Sequence, residues 1–259
     1  MSMRRWAASL VLVSSMVAAG CGSRMEPGSR EAAGGPAAGE RGDAWRTDTL
    51  TQIGTLERLA RGGFDGTAVI ADLGQSGDFG LGTFDALDGE MVVLDGVVYQ
   101  IRADGIAREA DRGGRTPFAA VTFFRPTRRF AIAAPLADLA ALETFIANAA
   151  PDPLRMLAVK VHGTFSSLVL RSPRRQTAPY PPLAEAIETQ VEFRHTNVRG
   201  TMVGFRLPTY LGTVNAVGYH FHFISDDRRT GGHVLAAATD SGTVDVQTLE
   251  RLRFTLGRR

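Results

Sequence analysis

The chain has 259 residues, 44% of them hydrophobic, and a formal net charge of +2. That is enough apolar material for one large domain or two small ones with a real core, and it leaves no basic field to argue for nucleic acid. Lys160 is the only lysine, so any Schiff-base chemistry would have to use it; Cys21 is the only cysteine, which excludes an intramolecular disulfide and a thiolate metal cluster.

Residues 1–21 read as a signal peptide. "MSMRRW" is basic, "AASLVLVSSMVAAG" is apolar but too short for a comfortable membrane span, and Cys21 follows small residues. "VAAGC" resembles a bacterial lipoprotein cleavage site, which would leave Cys21 as the lipidated first residue of an exported protein, periplasmic or at the cell surface. A plain secretory signal is the other reading. Residues 22–45, rich in Gly, Ala, Pro and charge, read as a flexible linker.

Residues 46–259 are the expected folded part. "TLTQIGTLERLARG" spaces Leu50, Ile53, Leu56 and Leu59 at helical intervals and ends on Gly62 and Gly63. In "SGDFGLGTFDALDGE", residues 76–90, the glycines match neither a phosphate loop nor a dinucleotide fingerprint and read as turn makers. Thr83 and Glu90 are its polar candidates for a site; taken alone, each reads first as a solvated residue. "EMVVLDGVVYQIRADG" is a hairpin turning at Asp95-Gly96. "FAAVTFF" is a buried strand, and "PLADLAALETFIANAA" a helix with Leu136, Leu139, Leu142 and Ile146 on one face.

From Leu154 the pattern is mostly strand. "MLAVKVHGTF" and "SSLVLRS" flank a short turn, "PLAEAIETQ" is a short helix, and "VEFRHT" and "TMVGFRL" flank Asn197 to Gly200. "VNAVGYHFHFIS", "HVLAAATD" and "TVDVQTLERLRFTL" complete the set. The expected fold class is α+β, with two packed subdomains of about 46–150 and 151–259. The first holds a mixed β-sheet with helices; the second is strand-rich and β-barrel-like.

The second half also holds "GYHFHFISDDRRTGGH". On a strand, His220 and His222 share one face while Tyr219, Phe221 and Phe223 take the other. Asp226 to Gly232 reads as a hairpin loop that brings His233 back beside them. Three neutral imidazoles with a fourth position open is a catalytic zinc arrangement, though imidazole also suits copper, iron or nickel. The competing reading, three strand histidines satisfied by local hydrogen bonds, stays open on spacing alone. His162 and His195 are isolated on their strands and read as structural.

"GDFGLGTFDALDGEMVVLDGVVYQIRADG", "TPFAAVTFF", "VHGTFSSLVLRSPRRQTAPYPPL", "GTMVGFRLPTY" and "VGYHFHFISDDRRTGGHVL" occur in that order. Together they resemble the acetolactate decarboxylase family from about Leu50 to the end. The resemblance implies a homodimeric, zinc-dependent lyase converting 2-acetolactate to acetoin and carbon dioxide through a metal-stabilised enediolate, in acetoin and butanediol formation. It implies one zinc per chain on His220, His222 and His233. It also implies a threonine and a glutamate of the site at Thr83 and Glu90, and a substrate-site arginine at Arg171. Arg171 would hold the substrate carboxylate with Thr83 nearby, and Glu90 would carry a proton. The family pattern differs in two places: Pro173-Arg174-Arg175 follow Ser172 where a Val-Pro-basic run is usual, and family members continue into a C-terminal tail bearing a second glutamate, for which Glu250 is a poor substitute. A runner-up reading is a membrane-tethered, catalytically weak relative that binds metal or a small hydroxy-keto acid.

Overall fold

A computed structural model describes residues 47–256. The expected signal peptide, Cys21 and the linker lie outside the described residues. Three short helices stand against fourteen strands among those residues, so the architecture is mostly β where an α+β mixture is expected.

Seven strands form the first sheet: β1 (Thr49–Ile53), β3 (Phe79–Thr83), β4 (Glu90–Leu94), β5 (Val97–Ile101), β6 (Ala107–Glu109), β8 (Ala119–Thr122) and β14 (Arg251–Thr255), in the order β14-β1-β8-β3-β4-β5-β6. Only the β1–β14 pair is parallel. The second sheet holds β9 (Arg128–Ile132), β10 (Met156–Ser172), β11 (Val191–Leu207), β12 (Gly218–Ser225) and β13 (Gly231–Leu249), all antiparallel. Its order is β10-β11-β12-β13-β9, and β10 also pairs with β13, so four strands hydrogen-bond in a ring. Two-residue strands β2 (Ala68–Val69) and β7 (Arg115–Thr116) make a separate ribbon. The two sheets exchange edges: β9 joins the second sheet, and β14, from the chain's far end, joins the first.

The helical reading of Leu50 to Leu59 is half right. Thr49–Ile53 is a strand buried at every position between β14 and β8. Cross-strand pairing outweighs the three-four spacing of its leucines. The helix α1 (Leu56–Ala60) starts only after Gly54, with the Thr55 side chain capping the Arg58 amide. The turn-maker reading of "GLG" also fails. Gly80 and Gly82 lie inside β3, where a side chain on Gly80 would sit 2.2 Å from the Ala120 carbonyl oxygen.

Two expected turns are absent for a related reason. "GTFSS" and Asn197–Gly200 lie within the unbroken strands β10 and β11. Gly163 faces Gly200 on one side and Gly242 on the other, so three backbones close up where side chains would hold them apart. The Asp95-Gly96 hairpin is as expected, with φ of 53° and 81°, as a type I′ turn requires. The helix α2 (Leu139–Ala149) starts at Asp138, whose carboxylate caps the Ala141 amide, and it buries Leu142 and Ile146. The third helix, α3 (Leu183–Ala186), is one turn long and runs on into a short 3₁₀ turn.

Period-two alternation divides the long strands between two cores. On β10, Met156 and Ala158 face the first sheet, while Leu157, Val159 and Val161 pack toward Leu142 and Ile146 of α2. On β12, Phe221 and Phe223 join that same helix-side core and Ile224 takes the opposite face. On β4, Val92 and Leu94 point at the second sheet while Met91 and Val93 point away from it. Even-numbered residues of β4 and β12 therefore meet between the sheets. Glu90, His220 and His222 are even-numbered.

Candidate metal centre and active site

The strand register builds the site. His222 on β12 stands opposite His233 on β13, and His233 stands opposite Arg171 on β10. These three side chains form a row across three strands, and His220 lies two residues along β12 on the same face. Nε2 of His220 is 3.2 Å from Nε2 of His222 and 3.1 Å from Nδ1 of His233. All three imidazoles offer a ring nitrogen within 4.8 Å of one another. His162 and His195 stand apart from this group, His162 against Asp226 and His195 against the Thr230 hydroxyl.

The opposing sheet fixes one ring. Nδ1 of His222 is 2.7 Å from the Met91 carbonyl oxygen of β4. A carbonyl only accepts, so Nδ1 carries the hydrogen and Nε2 presents its lone pair to the cluster. Glu90, also on β4, brings Oε2 to 3.4 Å from that Nε2. A lone pair facing a carboxylate oxygen and two further imidazoles needs a proton or a cation among them. Burial, reinforced by the neighbouring Arg171 charge, pushes the His220 pKa down to about 4. Burial also holds His222 and His233 well below the ordinary imidazole range; His220 is the next cause for His222, and Arg171 for His233. The rings are therefore neutral, the state that ligates metal. Three neutral imidazoles, one with its tautomer set from behind, beside a buried carboxylate, fit a divalent ion.

Burial raises the Glu90 pKa to about 7, and Arg171 opposes the shift. A carboxyl group poised there can both give and take a proton near neutrality. The loop before Glu90 is tightly held: Ala86 and Leu87 adopt φ of 58° and 55°, and the Ala86 carbonyl accepts from the Gln176 amide. Thr83 lies directly opposite Glu90 in the β3–β4 pair and is buried. Its hydroxyl donates to the Gly89 carbonyl at 2.7 Å, which secures the turn and leaves only acceptor capacity toward the site.

Arg171 donates from Nη1 to Oε1 of Gln190 at 2.7 Å, and its Nε is buried without a partner. No carboxylate among the described residues lies at ion-pair distance from it. Glu250 is elsewhere: it is exposed and pairs with Arg155. Sequence reasoning missed the Met91 carbonyl and Gln190. A backbone acceptor has no residue signature, and Gln190 lies nineteen positions from the arginine it touches.

The family model for alpha-acetolactate decarboxylase matches residues 50–259. An alpha-acetolactate decarboxylase of Methanosarcina mazei is 45% identical over 196 residues, covering 76% of this chain and 68% of that protein. One from Bacillus subtilis is 37% identical over 207 residues, covering 80% and 81%. A crystal structure of the Bacillus subtilis enzyme superposes with a TM-score of 0.79 at 35% identity, covering 82% of this chain and 90% of that one. The fold is that of a carboxy-lyase. The chain belongs to the alpha-acetolactate decarboxylase family.

Proposed function

We propose that this chain decarboxylates 2-acetolactate to acetoin, in a zinc-dependent reaction that serves acetoin and butanediol formation. The observation that carries the reading is the meeting of three groups between the sheets: the triad His220, His222 and His233, the buried acid Glu90, and the carboxylate-free Arg171. A substrate that is both a β-keto acid and an α-hydroxy acid uses all three. A divalent ion on the triad would supply Lewis-acid stabilisation for the negative charge left when carbon dioxide departs. The all-imidazole donor set favours zinc, since no thiolate lies among the described residues for softer ions.

Arg171 binds and orients the carboxylate that is to leave, through charge-assisted hydrogen bonds from its planar fork. The carbon–carbon bond to that carboxylate breaks, and its electron pair passes into the enediolate. Glu90 in its protonated form delivers a proton to the former carboxyl-bearing carbon, which gives acetoin. Thr83 secures the turn on which Glu90 sits and offers its lone pairs toward the substrate. The four-strand ring supports the barrel-like reading of the C-terminal half. The same reading carries a homodimer and export with a lipid anchor at Cys21; the resemblance supports the first and "VAAGC" the second.

The test is acetoin release from each enantiomer of acetolactate by zinc-reconstituted protein. Turnover lost on chelation and restored by zinc is the expected result. A metal-loaded protein that releases no acetoin from either enantiomer overturns the reading.

A further inference from the structure

We infer that Gln190 is a positioning residue: its neutral amide fixes the Arg171 guanidinium while leaving that charge uncompensated for the substrate carboxylate. This rests on the substrate-binding role proposed above for Arg171. Arginine only donates, so the Gln190 amide must turn its oxygen to Nη1, as it does at 2.7 Å. That contact occupies one terminal nitrogen. The edge that Nε shares with Nη2, a geometry suited to a bidentate carboxylate, is not the one Gln190 takes, and Nε is buried with no partner.

The choice of an amide matters because a carboxylate stands nearby and is turned elsewhere. Glu192 lies directly opposite Arg171 in the β10–β11 register, yet its carboxylate is exposed and pairs with Arg194 at 3.3 Å. Gln190 reaches Arg171 from the residue just before β11, at the end of the 3₁₀ turn that follows α3, where its backbone N–H donates to the Ile187 carbonyl. An arginine already paired with an acid would meet a substrate carboxylate as a neutral pair. One held by an amide meets it with no acid at ion-pair distance among the described residues, Glu90 acting on it only through space, in a site where burial strengthens the attraction.

Gln190→Glu separates this role from simple bracing, because it keeps an acceptor on Arg171 and adds the compensating charge. The zinc-loaded parent, Gln190→Glu, Gln190→Ala and Arg171→Ala are compared for KM, kcat, zinc content and thermal midpoint. Competitive inhibition by 2-hydroxy-2-methylpropanoate and by its uncharged amide is measured alongside. In Gln190→Glu, KM and the carboxylate inhibition constant rise about ten- to a hundred-fold, on the scale of a charge-assisted contact. The amide inhibitor, kcat and zinc content change little. Gln190→Ala shows a smaller rise of the same kind. If Gln190→Glu behaves as the parent while Arg171→Ala is impaired, Gln190 only braces the strand and the inference is overturned alone. If Arg171→Ala also behaves as the parent, or the parent is inactive, the reading beneath it fails and takes the inference with it.

Discussion

Replacing Gly232 with alanine tests whether the close approach of β10 and β13 holds the site together. Gly232 has φ of +145°, lies next to His233, and faces Phe223 across the β12–β13 pair. An added Cβ would sit 2.7 Å from the Arg171 carbonyl oxygen and 3.2 Å from the Leu170 Cβ. The backbone strain costs about 1–3 kcal/mol, and forcing the strands apart adds about 1–3 kcal/mol. Together that is a loss of roughly 2–6 kcal/mol, or a fall of about 4–24 °C in the thermal midpoint of a domain this size. Because the strain falls on the backbone joining Arg171 to His233, metal retention should fall as well. Gly96→Ala is the control: its φ is +81°, but its Cβ would meet nothing within 4 Å. It should cost only about 1–2 kcal/mol for the left-handed backbone and leave the metal in place. Thermal unfolding with and without chelator, together with elemental analysis, reads both effects. A Gly232→Ala protein as stable as Gly96→Ala, with a full metal complement, would show that this contact does not shape the site.

The parent should hold one divalent ion per chain. His222→Ala should lower metal affinity by orders of magnitude, beyond the roughly 10–100-fold typical of supporting residues; unchanged metal content by elemental analysis would remove His222 from the ligand set. In the metal-loaded protein, Arg171→Ala should lower kcat/KM about ten- to a hundred-fold through binding as well as rate. Glu90→Gln should instead lower kcat by on the order of 10²–10⁴ with KM nearly intact; steady-state kinetics that show the two variants alike would contradict their separate roles. A chain starting at Trp45 should match the thermal midpoint of the longer one, and a lower midpoint would mean that the preceding residues pack on the domain. Cys21→Ser should leave the membrane fraction, and its persistence there would argue against lipidation.

The histidine cluster is legible because two strong regularities coincide in sixteen residues. Strand alternation puts His220 and His222 on one face, and the hairpin returns His233 to His222 in direct register. Spacing alone still left two readings. What favours the first is the opposing, first sheet, which supplies Glu90 and the Met91 carbonyl from β4, more than a hundred residues upstream. Glu90 and Arg171 were reached through resemblance, since a lone glutamate or arginine on a strand has no signature of its own. The misread elements share one cause. Local pattern reads Leu50 and Ile53 as helix, and "GLG" and "GTFSS" as turns, whereas each is held as strand by neighbours distant in sequence.

The exchange of edge strands has a consequence for how this molecule can be taken apart. Residues 128–132 complete the sheet built from the later half of the chain, and residues 251–255 complete the one built from the earlier half. No single break in the polypeptide frees the first sheet with all its strands, and a break near residue 125 that keeps the second sheet whole carries β14 away from the first. A fragment ending near residue 150 leaves β1 with a bare flank; one beginning there leaves β13 without its outer neighbour. The protein is laced rather than stacked, and melting should proceed as one event, with the three clustered histidines and the buried acid beside them lost together.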